Sequence, residues 1–301
     1  MSTASHFDPS VRVMSMRDAV DVFGRAKVRW MIEAHRRQSP HARVVVLHSG
    51  PVSAADRQLV ALAACGPTSV LAGLTAAELD GLSGFPAPAI TVLLPLGYSP
   101  GIPTGVIVHR SSVLGQEFVH PSRAPRRTRL ARSLVDACAW ASSDYQARCI
   151  VAAAIQQRLV RAEDITNVLS RMPKVRRRAI IRESVIDAGG GSHSGYEIDF
   201  LKMCRAYALP MPSRQVTRRD ASGKVRYSDA EFDEYNLVVE VDGSQHMNVT
   251  SWWSDMNSQN ELHLEGKTML RYPGFIVRHQ PWVSAHQIQK FIDECNRKRS
   301  A

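Results

Sequence analysis

The 301-residue chain lacks any apolar run long enough for a bilayer. Its longest, Ala89 to Leu96, is interrupted by Pro95, whereas a spanning helix needs about 20 apolar residues. The N-terminus has no basic start followed by an apolar core, which argues against a secretory signal. Cysteine is sparse and odd in number: Cys65, Cys138, Cys149, Cys204 and Cys295, with no close pairing. Zinc sites and redox dithiols need thiolates a few residues apart, so buried single thiols in a reducing compartment are expected. No internal repeat is visible. These absences predict a soluble, cytoplasmic protein with no membrane partner. A hydrophobic fraction of 44% with 22% charged residues excludes wholesale disorder, and the length suggests two or three domains.

The formal charge of +10 is unevenly spread. From residue 192 onward, 14 basic side chains balance 14 acidic ones, so the whole excess lies in residues 1–191. A basic half joined to a neutral half with clustered acids predicts a polyanionic partner for the first half; solubility alone is the other explanation of a basic surface.

Ser15-Met-Arg-Asp18 has capping-box-like spacing and opens a short helix ending near Gly24. A second helix is expected over Arg25 to Arg37, then a break at Pro40 and a strand over Arg43 to Leu47. Helix, glycine turn, basic helix and strand follow the order of a winged helix-turn-helix. Arg25, Lys27, Arg29, Arg36 and Arg37 are its candidate DNA contacts; a helical lobe with a solvated basic face is the alternative.

Beyond it, Asp56 to Cys65 reads as a helix, and Thr75-Ala-Ala-Glu78 as a capping box before another. Ala89 to Leu94 and Gly105 to His109 read as strands. Helical stretches fill Arg129 to Asp187, with breaks at Ser142, Ala162 and Pro173. Two basic runs, Arg123/Arg126/Arg127/Arg129/Arg132 and Arg171/Lys174/Arg176/Arg177/Arg178/Arg182, contain no acids. They are expected to be solvated helix faces or, together, a phosphate-tracking surface. Gly189 to Gly195 is too rich in glycine and serine for a helix or strand interior, and marks the main joint.

After the joint, a helix from Ser194 buries a stripe of Tyr196, Phe200, Met203, Cys204 and Tyr207. Arg214 to Arg219 reads as a strand. Leu237 to Asp242 is a strand by its β-branched content, with Leu237, Val239 and Val241 on one face and Val238, Glu240 and Asp242 on the other. Val225, Tyr227 and Asp229 share a face of the strand before it. A four-residue loop at Asp233–Asn236 pairs residues whose numbers sum to 469, so Asp229 lies opposite Glu240 with Cβ atoms ~4.5–5.5 Å apart. Opposed like charges are destabilising, and Asp242 adds a third. A hard divalent cation held by carboxylate oxygens removes the conflict; a solvated acidic hairpin in a shifted register is the alternative.

Asp229, Glu240-Val-Asp242-Gly243, His246, Asp255, Leu262, Gly266 and Leu270-Arg271 together resemble a nuclease-like domain of unknown function related to the very-short-patch repair endonucleases, within the PD-(D/E)XK superfamily. The resemblance covers residues 192–296. It implies a restriction-endonuclease-like αβββαβ core, completed by a helix beginning near Trp252 and a strand at Thr268 to Tyr272. It implies Mg²⁺, or Mn²⁺ in its place, bound by Asp229 and Glu240 with Asp242 as a further ligand. It also implies a His246–Asp255 pair near the scissile phosphate, in which a carboxylate fixes the imidazole tautomer. Glu197 matches the acidic residue of the family's first helix, or else caps Ser194 at N3. The superfamily lysine after Glu-x is Asp242 here, Ser258 replaces the usual arginine, and Lys267 stands where tryptophan is common. The first change bears on catalysis, the others on packing. Trp252-Trp253 is expected in the core. The N-terminal half resembles, more weakly, the winged helix of AbiEi-type antitoxins, through its order of elements and Gly24 to Trp30.

The expected fold class is α+β or α/β, with a winged-helix-like region at 1–50, a mixed then helical region at 51–188, the joint at 189–195 and the nuclease domain at 192–301. The expected function is a Mg²⁺-dependent DNA phosphodiesterase. A non-catalytic, antitoxin-like DNA-binding regulator with a toxin partner, and an RNA-processing enzyme with the same site, are the alternatives.

Overall fold

The computed structural model describes residues 11–97, 101–188, 193–212, 214–219, 225–242 and 266–300, with backbone alone at 193–197, 214–219, 225–229, 242, 275 and 300. The fold is mixed α+β with three small sheets. The chain divides into two compact units, Met1–Ser142 with Asn167–Arg176, and Ser143–Thr166 with Arg177–Ala301. Of the glycine- and serine-rich segment, residues 189–192 lie outside the described residues, and His193–Gly195 form the first turn of a helix. Among the described residues no helix is long and apolar enough to cross a membrane.

The first unit starts with β1 (Val13–Ser15), α1 (Met16–Phe23) and α2 (Arg25–Glu33). Ser15 caps α1 by accepting from the Asp18 backbone N–H at 3.0 Å. Gly24, at φ 83°, makes the one-residue turn into α2, a backbone state few other residues adopt. The second helix stops at Glu33, short of the expected Arg37, because His35 takes a left-handed conformation (φ 54°). The His35 and Arg36 N–H groups then turn back to the carbonyls of Ile32 and Met31, a Schellman ending that usually calls for glycine. Pro40 lies within a strand, β2 (Gln38–His41), which forms an antiparallel hairpin with β3 (Val44–Val46). The sheet order is β1-β3-β2. Alternation along β3 buries Val45 against α1 and α2, and Val44 and Val46 against Val60 and Ala64 of α3 (Ala54–Cys65).

The second sheet of this unit, β4 (Val70–Leu71), β5 (Ile90–Pro95) and β6 (Val106–Ser111), pairs β5 with β6 in parallel. Thr75 is not a helix cap: it lies inside α4 (Gly73–Leu79). Its buried hydroxyl donates to the Ala89 carbonyl at 3.2 Å and accepts from the Thr91 N–H at 3.0 Å, fixing the helix to β5. Helix α5 (Leu130–Trp140) packs on α4. Gly73 suits that contact, because a Cβ at φ +57° would meet the Trp140 ring at 2.8 Å.

The second unit contains α6 (Asp144–Gln156), α8 (Arg178–Ala188), α9 (His193–Ala206), and the final helices α10 (Gly274–His279) and α11 (Pro281–Ser300). Helix α7 (Ala162–Arg171) lies between α6 and α8 in sequence. The sheet runs β10-β9-β8-β7, from β7 (Arg214–Arg219), β8 (Val225–Phe232), β9 (Leu237–Asp242) and β10 (Thr268–Pro273). Pairings are antiparallel except β9 with β10. Phe200, Met203 and Cys204 of α9 meet Ala230, Phe232, Leu237, Val239 and Val241 in one core, closed by Ile288 and Ile292 of α11. Tyr207, expected in the buried stripe, is 43% exposed, and the Tyr196 side chain lies outside the described residues. None of the five cysteines is in a disulfide, and Cys65, Cys138 and Cys204 are buried.

Candidate active site and nucleic-acid interface

The hairpin β8–β9 turns through a 3₁₀ segment, Asp233–Tyr235, closed by Asn236 in the left-handed region (φ 49°, ψ 39°). The paired residues are Ala230 with Val239, Glu231 with Val238, and Phe232 with Leu237. All three pairs follow the register expected from the four-residue loop. The pairing with β9 ends at Ala230–Val239, and the pairing with β7 shifts register between Glu231 and Ser228, the stretch of β8 that holds Asp229. Leu237, Val239 and Val241 are in the core, so Glu240 and Asp242 belong to the opposite face.

That face carries cations as well. Strand β10 sets Arg271 directly beside Glu240, and the Arg271 guanidinium grips Glu240 Oε2 through Nε and Nη2. Lys267 forms an ion pair with Glu231, whose side chain is only 5% exposed, and Arg214 of β7 lies opposite the same residue in register. On β9, Glu240 and Asp242 share that face, and Arg271 of β10 lies beside Glu240. Carboxylate oxygens are the donor set that Mg²⁺ and Mn²⁺ prefer, so the residues fit such an ion. Among the described residues no group of three or more metal-ligating side chains converges. The side chains of Asp229, Asp242 and Glu197 lie outside the described residues, and so do His246, Asp255 and the Trp252-Trp253 pair altogether.

Sequence reasoning missed Glu231 and the role of Arg271. Both were visible as charged residues in apolar strands. Only the register of a parallel, non-local pair reveals which carboxylate each cation meets.

In the first unit, α2 buries Val28 and Met31 and turns Arg25, Lys27 and Arg29 to solvent. Arg29 is paired with Glu33 at 2.8 Å, and the Lys27 ammonium lies 6.0 Å from the Phe23 ring centroid. Arg36 and Arg37 are not on the helix. Arg36 stacks its guanidinium 5.6 Å from the centroid of exposed Trp30, and half-buried Arg37 donates to the Arg36 carbonyl at 3.2 Å.

The two acid-free runs are not continuous cationic faces. Arg127 and Arg132 are buried, paired with Asp80 and Asp136 at 2.9 Å each. Arg123 shares Asp80, Arg126 donates to the Pro67 carbonyl, and Arg177 binds Asp144 at 2.7 Å. The compensating acids lie far away in sequence or one helical turn on, so a local count of charges could not find them.

No family model matches the chain, and a search of curated proteins finds no match.

Proposed function

We propose that the protein binds duplex DNA through α2 and the β2–β3 hairpin, and that its second unit is a Mg²⁺-dependent DNA phosphodiesterase of restriction-endonuclease-like architecture. The observation that supports it is the β8–β9 register over Ala230–Phe232, which is the register expected for an Asp229–Glu240 pair on the sheet face away from the core. The order helix, three antiparallel strands, then β10 parallel to β9 supports the same resemblance. The DNA-binding part is supported by the glycine turn between α1 and α2, the exposed cations of α2 and the hairpin in a β1-β3-β2 sheet.

In this scheme Asp229, Glu240 and Asp242 hold the cation, and Arg271 orients Glu240. A bound Mg²⁺ supplies Lewis acidity and a water of lowered pKa. His246 and Asp255 are assigned the proton traffic at the scissile phosphate. The test is plasmid nicking and linearisation with Mg²⁺, Mn²⁺ or EDTA. Wild type is expected to cut with either metal, whereas Asp229→Asn and Glu240→Gln bind DNA without cutting it. Replacing Arg25, Lys27 and Arg29 with alanine should flatten the salt dependence of DNA affinity, by ~0.9 in log–log slope for each phosphate no longer neutralised.

The Arg271–Glu240 pair favours a second reading. It compensates Glu240 without metal, as a regulator that keeps the fold as a scaffold requires, and a toxin partner belongs to that reading. Wild type that binds DNA but neither cuts it nor gains thermal stability with metal would replace the enzyme with the regulator.

A further inference from the structure

The first unit holds a cavity of about 590 Å³ at the carboxyl ends of the parallel strands β5 and β6, the position where open α/β sheets receive ligands. The volume suits a drug-sized or nucleotide-sized molecule. One wall is the His109 ring stacked on Trp140, with centroids 3.7 Å apart and planes 5° from parallel. Burial lowers the His109 pKa, which keeps that wall neutral at pH 7.

The polar floor is the buried pair of Arg132 and Asp136. Arg132 donates from Nε to Asp136 Oδ2, from Nη1 to the Val113 carbonyl and from Nη2 to Ser111 Oγ. A guanidinium has five N–H donors, so two remain for a ligand. Among the described residues Asp136 Oδ1 accepts no hydrogen bond, and so it is matched to a hydroxyl or amino group. At the rim stand Arg110, Lys174 and Arg176, all exposed. With Arg132 matched by Asp136, Lys174 and Arg176 make the rim cationic, while Leu93, Met172 and Val175 give the cavity an apolar side.

From these features we infer that the cavity binds a nucleoside monophosphate, or a phosphorylated and hydroxylated small molecule of that size. The phosphate sits among Arg110, Lys174 and Arg176, and a hydroxyl or amino group reaches the Arg132–Asp136 floor. This site does not depend on the nuclease reading.

Titration calorimetry and thermal melting of the full chain with adenosine and guanosine monophosphates provide the test, beside inorganic phosphate, adenosine and a short duplex. At least one mononucleotide is expected to bind and raise the melting temperature. Phosphate alone and adenosine should bind more weakly. Lys174→Ala with Arg176→Ala, both on the surface, should weaken mononucleotide binding about tenfold or more without lowering the melting temperature of the unliganded protein. Absence of binding by both mononucleotides up to ~5 mM overturns the assignment. So does binding unchanged in the double variant. A double variant that loses duplex affinity, while wild type binds no mononucleotide, assigns the rim to the DNA backbone instead.

Discussion

Two buried carboxylates of the first unit, each with an arginine partner, titrate in opposite directions. Asp56, in the lobe of α1–α3, receives Arg12 Nε at 2.7 Å, Arg12 Nη2 at 3.0 Å, and both the backbone N–H and the hydroxyl of Ser53 at 2.9 and 2.7 Å. These donors hold it far below the usual carboxylate range. Asp136, on the cavity floor, receives only Arg132 Nε at 2.9 Å. Burial raises its pKa to about 6 despite that partner. Asp56 has several donors and a half-exposed arginine partner, whereas Asp136 has one donor and lies deep with its buried arginine, so donor number and depth together set the sign. A saturated carboxylate is structural, and an under-saturated one is poised for a ligand or a proton.

The contrast breaks most severely at Arg132. Arg132→Met leaves Asp136 buried without a cation and should cost about 3–5 kcal/mol where Asp136 is ionised. Denaturant titrations at pH 5 and pH 8 check this, with the larger loss at pH 8. In the wild type the raised pKa means that the folded state binds a proton more readily than the unfolded chain between pH ~4 and ~6. The Asp136 contribution to stability therefore falls as pH rises through that window.

Asp56→Asn is the converse. It keeps a capping oxygen but loses the charge-assisted bonds, for about 2–3 kcal/mol at pH 7. Because the folded pKa is depressed, the wild-type advantage is present above the unfolded value of about 4 and is lost as pH falls below it. Melting curves of the two proteins should converge in acid; a constant gap would show that the loss is one of packing.

Gly73→Ala gives the smallest effect, about 1–2 kcal/mol from its positive φ and the close approach to Trp140. It should also disturb the His109–Trp140 stack, visible as a change in near-ultraviolet circular dichroism.

What the sequence made legible was local. The Ser15 cap, the Gly24 turn, the strands β5 to β9 and the register of the β8–β9 hairpin all follow from spacing over a few residues, whereas β10 was expected only from the resemblance. Three kinds of feature were not legible. The end of α2 is set by His35 in a conformation that sequence assigns to glycine. Thr75 looked like a cap because its real partners, Ala89 and Thr91, lie 14 and 16 residues on. The arginines of 123–132 looked solvated because Asp80 reaches Arg127 across 47 residues. Arg132–Asp136 was within reach of an i, i+4 reading, but burial of both partners is a tertiary fact. At the acidic face, the hairpin loop carried the register of Ala230–Phe232 against Leu237–Val239, and only β10 could supply Arg271.

The parallel placement of β10 beside β9 sets an order of events during synthesis. Glu240 leaves the ribosome 31 residues ahead of Arg271, an interval of ~2–6 s at ordinary elongation rates of ~5–20 residues per second. Through that interval β9 is the open edge of a growing antiparallel meander, with Val238 and Val239 paired to β8 on one side only, which is the kind of template that recruits other chains. The carboxylates of the same strand then serve as gatekeepers, since their uncompensated charge repels a second copy until the final strand arrives.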